Sequence, residues 1–150
     1  MNRSIPSFVC RVCETPADRA AAMAIRVEVF VDEQNVPPEL EPDEFDANAL
    51  HLIAVDTATD ETLATARVVN KGNAVAKIGR VAVKQNERGR GIGKALMACA
   101  LDHAARRGNT VAALDAQVTV IAFYERLGFV AEGPVFDDAG IVHRHMTRPL

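Results

Sequence analysis

Apolar residues in this chain gather in short runs, separated by turn formers, and the runs follow two periods. FVCRVC (8–13) has high β propensity and reads as an opening strand. Thr15-Pro16-Ala17-Asp18 then reads as a helix start, with Thr15 as N-cap, Pro16 at the first helical position and Asp18 near the positive end. The pattern carries that helix to about Phe30, with Met23, Val27 and Phe30 along one face and Ala20 and Ala24 beside them. HLIAVD (51–56) and ETLATARVV (61–69) read as a hairpin turned at residues 57–60. A second turn at Lys71-Gly72-Asn73 leads into AVAKIGRVAV (74–83). From about Gly91 to Arg107, Ile92, Leu96, Cys99 and residues 101–104 give a helix a broad apolar face, and Gly108 ends it. VAALDAQV (111–118) reads as a buried strand, and VIAFYERL as a short helix closed by Gly128. FVAEGPVF, a turn at residues 137–140, and IVHRHMTR complete the chain.

The order is β–α–loop–β–β–β–α–β–α–β–β. Hairpins first and one strand–helix–strand crossover later predict an α/β fold of the mixed α+β kind. Its central sheet is expected to be mixed, mostly antiparallel, with six or seven strands and helices on its faces. The segment FVDEQNVPPELEPDEFD is expected to be a long irregular loop, with a short turn near residues 32–36. Its three prolines argue against a regular helix, and loops of that length often bind ligands.

Length adds that 150 residues form one domain, 1–150, burying roughly 68–70% of the unfolded surface. No apolar run is long enough for a membrane span, and MNRSIPSFVCRVCE lacks the charged start and apolar stretch of a signal peptide. The three cysteines cannot all pair, so a reducing cytoplasm is expected. Cys10 and Cys13 form a C-x-x-C, but on a strand they face opposite ways. With no second pair to complete a site, no metal is expected. The net charge of −3 is uneven: residues 27–66 hold eleven acids and no Lys or Arg, whereas residues 67–150 hold thirteen Lys and Arg. That split points to an anion-binding half and a cation-tolerant half, and away from nucleic acid, which requires a broad basic surface.

The candidate chemistry centres on KQNERGRGIGK, between a strand and a helix. Amides at a helix start have no partner within the helix and carry partial positive charge, and Gly89, Gly91 and Gly93 let a phosphate approach the backbone. Arg88, Arg90 and Lys94 add full charges, so a pyrophosphate is expected here. A Walker-A loop is excluded, because Arg88 and Ala95 stand where Gly and the Mg²⁺ ligand are needed. A dinucleotide fingerprint lacks its third glycine, and five residues separate the strand from Gly89. Asp115 at a strand end is the one point in its favour.

Arg88-Gly89-Arg90-Gly91-Ile92-Gly93 resembles the acyl-CoA motif [QR]-x-x-G-x-[GA] of the GNAT N-acetyltransferase superfamily. AFYERLGF (122–129) is similar to that family's closing helix and next strand. The stretches VEVFVDEQNVP, DEFD, HLIA, AKIGRVAV, DAQV and DDAGIVHRHM resemble a bacterial subgroup, the ElaA/YjcF type. The resemblance implies the GNAT acyl-CoA N-acyltransferase fold and direct transfer of acetyl from acetyl-CoA to an amine. It implies that the loop from Arg88 to Lys94 (Arg88, Gly89, Arg90, Gly91, Ile92, Gly93, Lys94) holds the CoA pyrophosphate. Val81 and Val83, on a strand that splays from its neighbour, would serve the pantetheine arm and the oxyanion. Tyr124, the only tyrosine, would be the general acid, and Gln117 stands where many members have a CoA-binding Asn.

The general base stays open among Glu33, Asp46, His51, Asp115, His143, His145 and a water chain. Glu33, Asp46, His51 and His143 are the candidates for binding the acceptor. The acidic loop favours a cationic small-molecule or peptide amine, with no nucleic acid and no membrane. An edge strand near the C-terminus leaves room for a homodimer. The alternative reading is a non-catalytic acyl-CoA sensor or regulatory module.

Overall fold

A computed structural model of the chain describes residues 7–150. Residues 1–6, the start of the stretch read above for a signal peptide, lie outside the described residues. The elements in order are β1 (Phe8–Val12), α1 (Pro16–Arg26), a π-helical segment (Val27–Glu33), β2 (Leu50–Asp56), β3 (Thr62–Gly72) and β4 (Val75–Val83). They continue with α2 (Ile92–Arg106), β5 (Val111–Gln117), α3 (Ile121–Glu125), β6 (Val130–Asp138) and β7 (Ile141–Pro149). One seven-stranded sheet runs β1-β2-β3-β4-β5-β7-β6. Only β4 and β5 are parallel, because α2 is the crossover between them. The fold is the mixed, mostly antiparallel sheet expected from the element order.

The sheet buries both faces. Leu52, Ala54, Ala66, Val68 and Ile78 meet Ile92, Leu96, Met97 and Ala100 of α2, together with Tyr124. On the other face, Ile53 and Val55 meet Ala22, and Ala82 meets Ile25 and Val29. This alternation on β2 is the period of a strand buried on both sides. Cys10 packs on the α2 face and Cys13 on the α1 face, and burial pushes both thiols up to about 11. Among the described residues, no helix is long and apolar enough to cross a membrane. No group of three His, Cys, Asp or Glu among them is arranged to hold a metal ion.

α1 starts at the expected cap: the Thr15 hydroxyl accepts from the Asp18 amide at 3.1 Å, with Pro16 next in line. Its buried face differs from the expected one. Ala22, Ile25, Arg26 and Val29 are buried, whereas Val27 is 40% exposed. The cause is Arg26, which is 1% exposed and turns inward to carboxylates of the following loop. Beyond Arg26 the helix loosens into the π-helical segment. The Gln34 amide donates to the Val29 carbonyl five residues back, and Asn35 ends the run at φ +60°.

The decisive irregularity lies in β4. Thr65 of β3 opposes Ala82, but Arg67 opposes Gly79, so β4 carries one extra residue between those pairs. Arg80 sits in that bulge with φ +51°, a conformation costly for a non-glycine residue. The bulge inverts the alternation. Ala76 and Ile78 face α2 before it, Val81 and Val83 face α2 after it, and Ala82 turns to α1. β4 pairs with β5 only through residues 75–77, against 111–113. Among the described residues, Ile78–Val83 has no partner on that side.

Candidate active site

A cavity of about 990 Å³ opens where β4 and β5 part. The Lys84 amide donates to the Leu63 carbonyl at 3.0 Å, so alternation turns the amides of Val83 and Val81 away from β3, toward the parted edge. Arg88 Nε takes the Val83 carbonyl at 3.0 Å. The Val81 N–H and C=O and the Val83 N–H are left for a ligand that brings its own amides.

The glycine loop forms one end of the cavity. Gly91 caps α2 from the left-handed region, φ +79°, and Gly89 is left-handed too, at φ +86°. The first helical bond of α2 joins the Ala95 amide to the Gly91 carbonyl at 3.1 Å. The amides of Ile92, Gly93 and Lys94 therefore have no partner within the helix, and they carry the positive end of its dipole. Gly93 is unlike the other two. Its backbone is helical, and a Cβ there would meet Phe123 at an ordinary 3.5 Å.

The basic side chains separate. Lys94 lines the cavity with no ion pair among the described residues. Arg88 lines it too, but its guanidinium is bidentate to Glu33, at 2.7 and 2.8 Å. Arg90 is absent from the cavity wall. It pairs with Glu87, donates to the Ser7 hydroxyl at 3.0 Å and lies 5.9 Å from the Phe8 ring. The three basic side chains therefore differ: Lys94 has no ion pair among the described residues, Arg88 pairs with Glu33 and Arg90 turns to β1.

Tyr124 lines the wall beside the loop, 8% exposed, its ring held edge-on between Phe123 and Phe129. Burial alone pushes its phenol up to about 12. Among the described residues its hydroxyl has no hydrogen-bond partner, yet the oxygen is not sealed from solvent. Gln117, at the end of β5, donates from Nε2 to Gln34 at 2.9 Å and lines the same cavity.

The acceptor candidates divide as well. Only His143 lines the cavity, stacked on Phe136 with Nδ1 against the Ile141 carbonyl at 2.7 Å. Glu33, Asp46 and His51 stand outside its wall. Glu33 is held by Arg88. Asp46 lies between Arg26 and Arg67, at 2.7 and 2.9 Å, and these guanidiniums hold its carboxyl well below the usual range against its burial. His51 is buried against the Asp46 carbonyl at 2.8 Å, and burial lowers it. Asp115 lines the cavity but is engaged by Lys77 and His145, each at 2.8 Å. Part of the acidic loop is thus a neutralised cluster, Glu41, Asp43 and Asp46 against Arg26, Arg67 and Arg80. Arg67, Arg80 and Gln34 line the cavity without any local sequence signal, because each sits in an ordinary strand or loop context.

Comparison with known proteins fits this geometry. Residues 15–150 match the sequence profile of the family described as Acetyltransferase (GNAT) domain. The chain is 34% identical over 128 residues to the uncharacterised N-acetyltransferase YjcF of Bacillus subtilis, covering 85% of this chain and 89% of that protein. A crystal structure of an acyl-CoA N-acyltransferase from Pseudomonas aeruginosa superposes with TM-score 0.82 at 34% identity, covering 94% of this chain and 97% of that one. Escherichia coli ElaA superposes with TM-score 0.83 at 27% identity, covering 94% and 99%.

Proposed function

The chain belongs to the GNAT acetyltransferase family, and from that premise we propose that it transfers an acetyl group from acetyl-CoA to a primary amine by direct attack in a ternary complex. Membership and the related structures support the coarser activity, an acyl-CoA N-acyltransferase. In this reading the whole chain, 1–150, acts as one catalytic domain.

The observation that carries the reading is the loss of the β5 partner after Lys77. It leaves β4 backbone groups facing a cavity whose end is ringed by free helix-start amides. A pantetheine arm presents amides that these groups can pair, and a pyrophosphate suits the amides of residues 89–94 with the Lys94 ammonium beside them. Gln117 and Gln34 supply side-chain amides along the same wall. Acetyl-CoA supplies the thioester that is attacked.

The chain's own groups then have distinct tasks. The Val81 or Val83 N–H donates to the carbonyl oxygen as negative charge grows on it. The amine lone pair forms the C–N bond, and the C–S bond breaks with its electron pair on sulfur. Tyr124 gives its hydrogen to that sulfur, and burial raises the phenol, which favours its protonated form. The amine's proton leaves by water or to Nε2 of His143 on the cavity wall, since Asp115 is engaged by Lys77 and His145, and a proton from water restores the Tyr124 hydroxyl. The acceptor is a small-molecule or peptide amine. Glu33, Glu41, Asp43 and Asp46 of the acidic loop are bound to arginines, whereas Asp32, Glu39 and Glu44 have no ion pair among the described residues and are what supports a cationic preference.

The test is thiol release from acetyl-CoA across a panel of amines, with Tyr124→Phe alongside. Amine-dependent release that falls in the variant supports the reading. Tight acetyl-CoA binding without release from any amine would favour a non-catalytic sensor, and absence of binding would remove the account of the glycine loop.

A further inference from the structure

Three arginines converge on the loop of residues 41–46, and they are not equally satisfied. Arg26 uses all three of its nitrogens, against Glu41 and Asp46. Arg67 holds Asp43 through both terminal nitrogens, at 2.6 and 2.7 Å, and reaches Asp46 at 2.9 Å. Those short bonds occupy the carboxylates. Arg80 is left with long contacts: Nε and Nη2 to the Glu41 carbonyl at 3.3 and 3.2 Å, Nε to the Glu41 carboxylate at 3.3 Å, and Nη2 to Asp43 at 3.2 Å. Among the described residues its Nη1 has no hydrogen-bond partner, and that nitrogen is open to solvent rather than sealed. Burial also holds this guanidinium below its ordinary range. Arg67 is buried too, yet its bonds to Asp43 and Asp46 hold that one above it.

Position makes the spare donors useful. Arg80 lines the cavity. It directly precedes Val81, whose amide faces the parted strand edge, and it holds a left-handed backbone in the bulge. Strain of this kind persists where the surroundings enforce it and concentrates at functional sites. Val29, Phe30, Val36 and the exposed Leu40 and Phe45 line the same cavity, as do Glu41, Asp43 and Arg67 beside Arg80. A guanidinium with open donors beside apolar side chains on a cavity wall suits a carboxylate, which accepts two parallel bonds.

We propose that Arg80 anchors the carboxylate of the acceptor, so that the acceptor is an amine bearing a carboxylate a few bonds away, such as an apolar amino acid, rather than a polyamine. The inference rests on the acyltransferase reading above. An anchor one residue before the amide that meets the thioester oxygen places the amine within reach of the carbonyl carbon, a positional advantage that an amine without the carboxylate lacks.

The experiment measures thiol release from acetyl-CoA with matched probes: leucine, leucinamide and isoamylamine, then methionine and phenylalanine with their amides, and spermidine as the cationic control. It compares the native chain with Arg80→Asn, which removes the charge in a residue type that tolerates left-handed backbone, and with Arg80→Lys. The expected result is preference for the free amino acid over its amide. In Arg80→Asn, kcat/KM for that acid falls between about 10- and 100-fold, chiefly through KM. The acid-to-amide ratio falls toward one, and Arg80→Lys restores part of it. Calorimetric acetyl-CoA affinity and the melting temperature check that both variants are folded and loaded. Faster reaction of amides, decarboxylated amines or spermidine than of the acids overturns the anchor while the acyltransferase reading stands. So does a ratio unmoved in Arg80→Asn. Failure of every amine overturns both.

Discussion

Arg88 and Glu33 stand 55 residues apart in sequence and close a bidentate ion pair at 2.7 and 2.8 Å, while Arg88 Nε takes the carbonyl of Val83. One side chain thereby ties the approach to the glycine loop to both the end of the π-helical segment and the end of β4. The side chains are 41% and 29% exposed, so the pair adds little to global stability, on the order of 0–1 kcal/mol. Its effect is on loop position. Glu33→Gln is expected to weaken acetyl-CoA binding several-fold in calorimetry, with a melting temperature within about 3 °C of the native chain. A large loss of melting temperature with unchanged binding would contradict the strap.

Tyr124→Phe removes a hydroxyl that has no protein partner among the described residues and keeps the ring between Phe123 and Phe129. Stability at pH 7 is therefore expected to hold, while kcat falls roughly 100-fold or more with little change in KM for acetyl-CoA. The same residue predicts alkaline behaviour. The folded phenol is raised to about 12, so the unfolded chain releases this proton first. Its contribution is whole below pH ~10 and is lost as pH climbs toward 12. Urea denaturation should show that loss in the native chain and a shallower one in Tyr124→Phe.

Asp46 lies between two arginines, and Arg26 among them is 1% exposed. Asp46→Asn leaves buried positive charge without its full counterion and is expected to cost roughly 3–5 kcal/mol in urea denaturation. The folded carboxyls of Asp46 and Asp43 are both lowered. Their contribution is complete above the unfolded carboxylate range, near pH ~4, and disappears as pH falls below it. The acid limb of stability should flatten in Asp46→Asn. An unchanged limb would show that other carboxylates dominate acid unfolding.

Gly91 and Gly93 differ in a way that one pair of variants exposes. Gly91 caps α2 at φ +79°, where a Cβ costs about 1–2 kcal/mol although no atom lies within 4 Å of it. Gly93 is helical, and its Cβ would sit 3.5 Å from Phe123. Gly91→Ala is expected to lower both stability and acetyl-CoA affinity, by re-aiming the first amides of α2. Gly93→Ala is expected to preserve affinity within about twofold, because Ala favours a helix interior over Gly. Equal losses in the two variants would argue that the close approach, rather than the backbone angle, sets binding.

Much of the fold was legible because its signals are local. The Thr15-Pro16 start, the Gly108 stop, the alternation of β2 and the strand–glycine loop–helix order each depend on residues within a few positions of one another. So does the family resemblance, which rests on contiguous motifs. The structure gathers Val81, Val83, Arg88, Gly89, residues 91–94 and Tyr124 around one cavity, and the resemblance singles out each of them from contiguous motifs.

Tertiary structure decided the rest. The buried face of α1 follows from Arg26 finding Glu41 and Asp46, a pairing no periodicity encodes. Arg90 leaves the anion loop because Glu87 and Ser7 hold it elsewhere, and Glu33, Asp46 and His51 are spent on structure. The Arg80 bulge inverts the strand alternation only because β3 and β4 pair as they do. Local conformation is a property of neighbouring residues and is written in their order. The partner of a charged side chain is chosen by proximity in space among several of opposite sign, and this chain has seventeen Lys and Arg to distribute among twenty Asp and Glu. That distribution, which leaves Arg80 with an open donor on the cavity wall, exists only once the strands are in register.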